Sequence, residues 1–164
     1  METWMSSARE LPNIAAILGP LLQRVSSERR PLFLAIAERM AAERYRDWAS
    51  ATEHPTHRSG LLACADREEE IARRVEALDP GAAAIQADIL AENPDLAELD
   101  RSIFADRPLG DQYAMQAQGE RAGASTWRAF AEGANSRARQ TFLECAELEE
   151  QSAAVLDSIL AGQR

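Results

Sequence analysis

The chain has 164 residues, which is enough for one domain with a sizeable core and too few to expect two. Hydrophobic residues make up 46% of the chain but aromatic residues only 5%, a balance that favours helices over strands. The formal net charge of −9 argues against nucleic acid and anionic membrane surfaces as partners.

The first residues show neither the basic region nor the apolar core of a secretory signal peptide. No run of residues approaches the ~20 apolar residues of a membrane span. The two cysteines, Cys64 and Cys145, lie far apart and in no Cys-x-x-Cys pair, which excludes a zinc ribbon or a rubredoxin-type iron site. We therefore expect a soluble, cytoplasmic protein.

Residues 1–30 are predicted to form an N-terminal helical extension. Apolar residues at helical spacing predict a helix from Leu11 to Arg24, with a kink or a break at Gly19-Pro20, while residues 1–9 are expected to be loosely held. The apolar face of this helix predicts either that it closes one end of the core or that it meets a second subunit.

The first long helix is predicted from Leu32 to Ser50, with Pro31 in its first turn. Glu38 lies within its apolar stripe, where a carboxylate needs a partner because burying an unpaired charge is costly. A second long helix is predicted from Thr56 to Leu78, with Thr56 as its cap.

The second half of the chain begins with a long connection, residues 82–107, that contains helical fragments at 82–91 and 96–104. Two further long helices are predicted at 109–133 and 136–160, with Asn135 as a cap and Gly162 just past the end. A connection of this length is what crossing from one end of a helical bundle to the other requires.

The two halves repeat each other. CADREEEIARRV at 64–75 matches CAELEEQSAAVL at 145–156, and AERMAAERYRDWA at 37–49 matches GERAGASTWRAFA at 119–131. The matched pairs include Glu38 with Glu120, Glu68 with Glu149, Tyr45 with Trp127, and Cys64 with Cys145. Two similar helix pairs, at about 31–79 and 109–161, predict an all-α antiparallel four-helix bundle over residues 31–164 with a long crossover between its second and third helices.

These motifs resemble the rubrerythrin branch of the ferritin-like superfamily over roughly residues 30–160. In that family the first and third helices each give a glutamate, the second and fourth each give Glu-x-x-His, and together they hold two iron atoms. The resemblance implies that the metal-ligand positions are those of Glu38, Glu68, Glu120 and Glu149.

Three ligand positions of the family are changed. The two histidines are replaced by Ile71 and Ser152, and the further carboxylate after the third-helix glutamate is replaced by Gly123. The two histidines of this chain, His54 and His57, are expected at a turn, far from the bundle centre. Ligation by oxygen alone suits magnesium, calcium or manganese better than a redox-active iron pair.

Two functions stay open, and with them the question of whether the chain is an enzyme. The missing histidines favour a degenerate ferritin-like scaffold or interaction protein that no longer binds metal. The alternative is a carboxylate-only metal-binding protein or an oxidoreductase of the rubrerythrin type, with iron, manganese or magnesium as candidate ions. By analogy with the family we predict a homodimer.

Simpler interpretations of the same residues also stay open. Tyr45, Cys64, Trp127 and Cys145 are candidates for supporting the glutamates, but core packing is the simpler interpretation of all four. The acidic residues could be solvated and paired with arginines, as in Glu69–Arg73 and Glu70–Arg74. Arg39 or Arg121 could neutralise Glu38 and Glu120, or the glutamates could form a part-protonated structural cluster.

Overall fold

A computed structural model of the chain describes residues 10–163, and the regular structure in that range is entirely helical. A short 3₁₀ turn at Ser27–Arg29 follows the first helix. The helices are α1 (Ile14–Gln23), α2 (Arg30–Ala51), α3 (Pro55–Glu76), α4 (Ala82–Glu92), α5 (Leu96–Phe104), α6 (Leu109–Glu132) and α7 (Ser136–Ala161). The prediction of an all-α chain is confirmed.

Four long helices form the centre of the molecule. Helix α2 packs against α3, α6 packs against α7, and α3 packs against α7. Side chains also join α2 to α6, since Arg44 Nε donates to Gln116 Oε1 at 3.1 Å and Trp48 Nε1 donates to Gln112 Oε1 at 3.1 Å. The four helices therefore share one interior, and α4 and α5 connect the first pair to the second.

The core is divided into two apolar clusters, and all four long helices contribute to both. We call them the Trp127 cluster, which includes Phe33, Ile71, Trp127 and Cys145, and the Tyr45 cluster, which includes Tyr45, Leu61, Met115 and Leu156. Along the chain, α2 and α7 pass from the Trp127 cluster to the Tyr45 cluster, whereas α3 and α6 pass the other way. Helices α4 and α5 thus carry the chain back to the end of the core at which α3 began.

Helix α1 packs on α6 and α2. Its Ile14 belongs to the Tyr45 cluster and its Leu21 to the Trp127 cluster, so α1 covers part of the same core. This apolar face is used within the chain and gives no argument for a second subunit. A kink or a break was predicted at Gly19-Pro20. The break was wrong, because α1 is a single helix that contains Pro20.

Of the two helix-capping residues predicted from the sequence, Asn135 is confirmed and Thr56 is not. Asn135 caps α7 by accepting a hydrogen bond from the Ala138 amide at 3.0 Å, as predicted, and Gly162 follows the last turn. Thr56 was wrongly predicted as the cap of α3, because that helix already begins at Pro55 and its capping position is His54. The loose segment predicted for residues 1–9 lies outside the described residues. None of the described helices has the length and apolar character that crossing a bilayer would demand.

Candidate metal-binding site

A carboxylate cluster, made of Glu38, Glu68, Glu120 and Glu149, lies inside the core. Each long helix contributes one member, and on each helix the glutamate falls between the residues that enter the Trp127 cluster and those that enter the Tyr45 cluster. The exposed fractions of these side chains are 6%, 0%, 1% and 2% in chain order. The apolar stripes around Glu38 and Glu120 therefore indicated their burial correctly.

Three members of the carboxylate cluster are close enough to share one ion. Glu38, Glu68 and Glu149 each offer a carboxylate oxygen, and these atoms all lie within 4.8 Å of one another. Glu120 is not a member of this group of three. Buried carboxylate oxygens at this separation are the donors that hard divalent cations prefer.

Glu120 is held through one of its two oxygens. The Tyr45 hydroxyl donates to Oε1 at 2.5 Å, and Gln116 Nε2 donates to the same atom at 2.7 Å. Burial, followed by the negative charge of the glutamates, raises the pKa of Tyr45 well above its ordinary value, so the phenol keeps the proton that it donates. Sequence reasoning missed Gln116, although its position one helical turn before Glu120 was a usable signal.

Glu68 and Glu149 have fewer partners. Trp127 Nε1 donates to Glu149 Oε1 at 3.0 Å, and Ser152 Oγ donates to Glu68 Oε1 at 3.3 Å. Among the described residues, no partner is found for Glu68 Oε2 or Glu120 Oε2, both of which are buried. Two buried carboxylate oxygens without a partner are costly unless a proton or a cation satisfies them.

Burial changes the protonation of the carboxylate cluster. Loss of water raises the pKa of Glu38 from 4.5 to about 7, while donors around it act in the opposite direction. Loss of water and the negative charges of neighbouring glutamates raise the pKa values of Glu68 and Glu149 well above their ordinary value. Without a cation, burial therefore favours the protonated forms of Glu68 and Glu149.

Arg39 and Arg121 do not reach this cluster. Arg39 pairs with Glu69 and with Glu76, and Arg121 pairs with Asp157, so the prediction that either neutralises Glu38 or Glu120 was wrong. These arginines lie on exposed faces, where they find other acids.

The surface pairs on α3 were predicted in part. The pair Glu70–Arg74 is present at 2.6 Å and is confirmed. The pair Glu69–Arg73 was wrong, because Glu69 binds Arg39 and Arg46 across the α2–α3 interface and Arg73 binds Glu70.

The three positions at which the sequence differs from the rubrerythrin pattern have different surroundings. Ile71 is fully buried in the Trp127 cluster, and Ser152 is fully buried with its hydroxyl on Glu68. Gly123 leaves room for Glu149, since a β-carbon there would lie 2.9 Å from Glu149 Cδ. No imidazole reaches the cluster from α3, because His54 and His57 are at its first turn and His57 precedes Glu68 by about 16 Å of helix.

The two cysteines are buried and free. Loss of water raises the pKa of Cys64 to about 11 and that of Cys145 to about 12. Thiols of this kind behave as small apolar groups and are poor nucleophiles at neutral pH. Neither cysteine belongs to the group of three that could share an ion.

Comparison of the chain with protein-family models, with curated proteins and with solved structures gives no match. The assignment of a function therefore rests on the residues themselves. Three of them, Glu38, Glu68 and Glu149, could hold a metal ion through carboxylate oxygens, for which protons would compete.

Proposed function

We propose that this protein is a ferritin-like four-helix bundle that binds a divalent cation through Glu38, Glu68 and Glu149. The observation that carries the proposal is the approach of three buried carboxylates to within 4.8 Å. The unpartnered oxygen of Glu68 supports it further, because a cation would satisfy that atom.

The ferritin-like topology is supported by the helix directions. Helices α2 and α7 run one way and α3 and α6 the other, and α4–α5 supply the long crossover that joins parallel helices α3 and α6. Each of the four helices then gives one glutamate at the level between the two apolar clusters. This is the arrangement of carboxylate ligands in ferritin-like bundles.

The donor set favours manganese or magnesium over an iron pair. All the donors are carboxylates, and hard oxygen donors suit these ions, whereas redox-active iron pairs normally have imidazole ligands as well. When bound, such an ion would supply Lewis acidity and would neutralise the carboxylates. Trp127 orients Glu149, Ser152 orients Glu68, and Tyr45 together with Gln116 fixes Glu120 beside them.

The second candidate is a metal-free scaffold. It is favoured by the raised pKa values of Glu68 and Glu149, since protonated carboxyl groups can donate to neighbouring glutamates and hold the core together without a cation. The scaffold would retain the bundle for contacts with another protein. The two candidates differ in one measurable property, which is stoichiometric binding of metal.

Metal binding is tested on protein purified without a histidine tag. We expect elemental analysis to find manganese, magnesium or iron, and calorimetric titration of chelator-treated protein with Mn²⁺ to show saturable binding. Glu149→Gln should weaken that binding about tenfold or more, because it removes one charged ligand. Glu147→Gln, on the exposed face of the same helix, is the matched control and should bind as the unmodified chain does.

Two results would favour the scaffold instead. One is purified protein that holds only traces of metal and shows no thermal shift with manganese, magnesium, iron or zinc. The other is equal Mn²⁺ binding by Glu149→Gln and Glu147→Gln, because that would place the ion outside the carboxylate cluster.

A further inference from the structure

A cavity of about 390 Å³ lies between α1, α2, α5 and α6. Its walls are mostly apolar, and they include Leu18, Leu22, Phe33, Phe104 and Met115. Glu38, Glu120 and Glu149 also line it, so the cavity reaches the carboxylate cluster from one side. A volume of this size falls in the range of pockets that hold small organic molecules.

Glu120 gives this cavity a polar end that lacks a partner. Its Oε1 atom already accepts hydrogen bonds from Tyr45 and Gln116, whereas its Oε2 atom is buried and has no partner among the described residues. The side chain is only 1% exposed, so bulk water does not satisfy that atom. A ligand that brings a hydrogen-bond donor to Oε2 would remove this cost.

The charge at this end selects the kind of donor. Glu120 accepts hydrogen bonds from Tyr45 and Gln116 as a carboxylate does, and a carboxylate repels an anionic head group and attracts a cationic one. Arg44 also lines the cavity, but its guanidinium is paired with Asp100 at 2.7 Å and its Nε donates to Gln116. Its charge is therefore compensated and leaves the cavity suited to a cation.

We propose that the cavity binds a small aliphatic amine, with the hydrocarbon chain between α1, α2 and α6 and the ammonium group against Glu120. An ammonium group is a compact cation with N–H donors only, so it can donate to Glu120 Oε2 and remain charged beside it. The proposal rests on the cavity and on Glu120, which is outside the group of three that could share an ion. It therefore does not depend on metal binding.

The test uses the full chain after removal of metal with a chelator. Isothermal titration calorimetry compares n-octylamine, n-octanol and n-octanoate, which share one hydrocarbon chain and differ in the head group. We expect octylammonium to bind about tenfold or more tightly than octanol, and octanoate to show no binding. Equal binding of amine and alcohol, tighter binding of octanoate, or no binding of the amine would overturn the proposal.

Variants separate the head-group contact from the cavity itself. Glu120→Gln should reduce the affinity for octylammonium to that for octanol and leave octanol binding unchanged. Ala37→Leu, which fills part of the cavity wall, should weaken both ligands, whereas Ala129→Leu on the exposed face of α6 should weaken neither. Undiminished amine binding by Glu120→Gln, or by Ala37→Leu if the first variant does not fold, would contradict the assignment.

Discussion

The carboxylate of Glu149 lies where a side chain at Gly123 would have to be. A β-carbon on Gly123 would come within 2.9 Å of Glu149 Cδ and closer still to Oε1. A carboxylate from α7 therefore occupies the space beside α6 that a larger residue at position 123 would fill. The absence of a side chain at position 123 and the position of the Glu149 carboxylate therefore belong to one packing arrangement.

Replacing Gly123 should therefore cost more than its helical position suggests. Gly123→Ala must push the Glu149 carboxylate away from Trp127, and we expect a loss of about 1–3 kcal/mol in the free energy of unfolding. Gly119→Ala is the matched control one turn earlier on α6, since its β-carbon would lie 3.6 Å from Ile14 Cγ2, an ordinary contact.

In a helix interior this control should be neutral or stabilising by up to about 1 kcal/mol. Urea denaturation measures both variants. Equal changes in the two would show that Glu149 does not need the space beside Gly123.

The metal-free protein should lose stability as the pH rises. The pKa of Glu38 is raised from 4.5 to about 7, so the folded state binds its proton more tightly than the unfolded state does. That contribution is fully present below about pH 4.5 and is lost as the pH rises through about 7. For Glu38 alone it is on the order of 3 kcal/mol.

The measurement is the free energy of unfolding by urea at a series of pH values, in the presence of a chelator. Glu38→Gln removes this titration and should flatten the slope between about pH 5 and about pH 7. A stability that instead increases across this interval would show that the cluster is ionised and satisfied without a cation.

With a divalent cation bound, the stability of the protein should increase, and not decrease, as the pH rises. Because Mn²⁺ and protons compete for the same carboxylate oxygens, binding releases protons and strengthens as the pH rises. We expect the thermal shift produced by Mn²⁺ to grow between about pH 5 and about pH 8. The same titration of Glu149→Gln should show a much smaller shift, and a shift independent of pH would place the ion on groups that do not titrate in this range.

Both thiols should be inert in the folded protein. Burial raises the pKa of Cys64 to about 11 and that of Cys145 to about 12, and neither side chain is exposed. We expect Ellman's reagent at pH 8 to label neither residue in the native state and both in denaturant. Ala129→Cys, at an exposed position, is the positive control, and rapid labelling of the unmodified native chain would refute this prediction.

Much of the helical architecture follows from the sequence because apolar periodicity and caps act locally. The pattern predicts the six helices after α1 to within a few residues, and it identifies Glu38 and Glu120 as carboxylates on buried faces. The repeat likewise predicts that α3 and α7 carry matching glutamates.

The partners of these residues could not be predicted in the same way. Periodicity gives the buried face of a helix but not its axial position against its neighbours, so it does not say that Arg39 meets Glu76 or that Gln116 meets Arg44. The cavity beside α1 depends on the same unspecified offsets. For that reason its contact with Glu120 emerges only from the three-dimensional arrangement.

The aromatic hydrogen-bond donors Tyr45 and Trp127 differ in the half of the chain to which they donate. Tyr45 and Trp127 occupy matching positions, yet Tyr45 donates to Glu120 in the other half, whereas Trp127 donates to Glu149 in its own half. The halves are thus no longer interchangeable modules. A chain made from two copies of the second half would lose the phenol that joins Glu120 to the other half, so the sequence match between the halves does not extend to their hydrogen bonds.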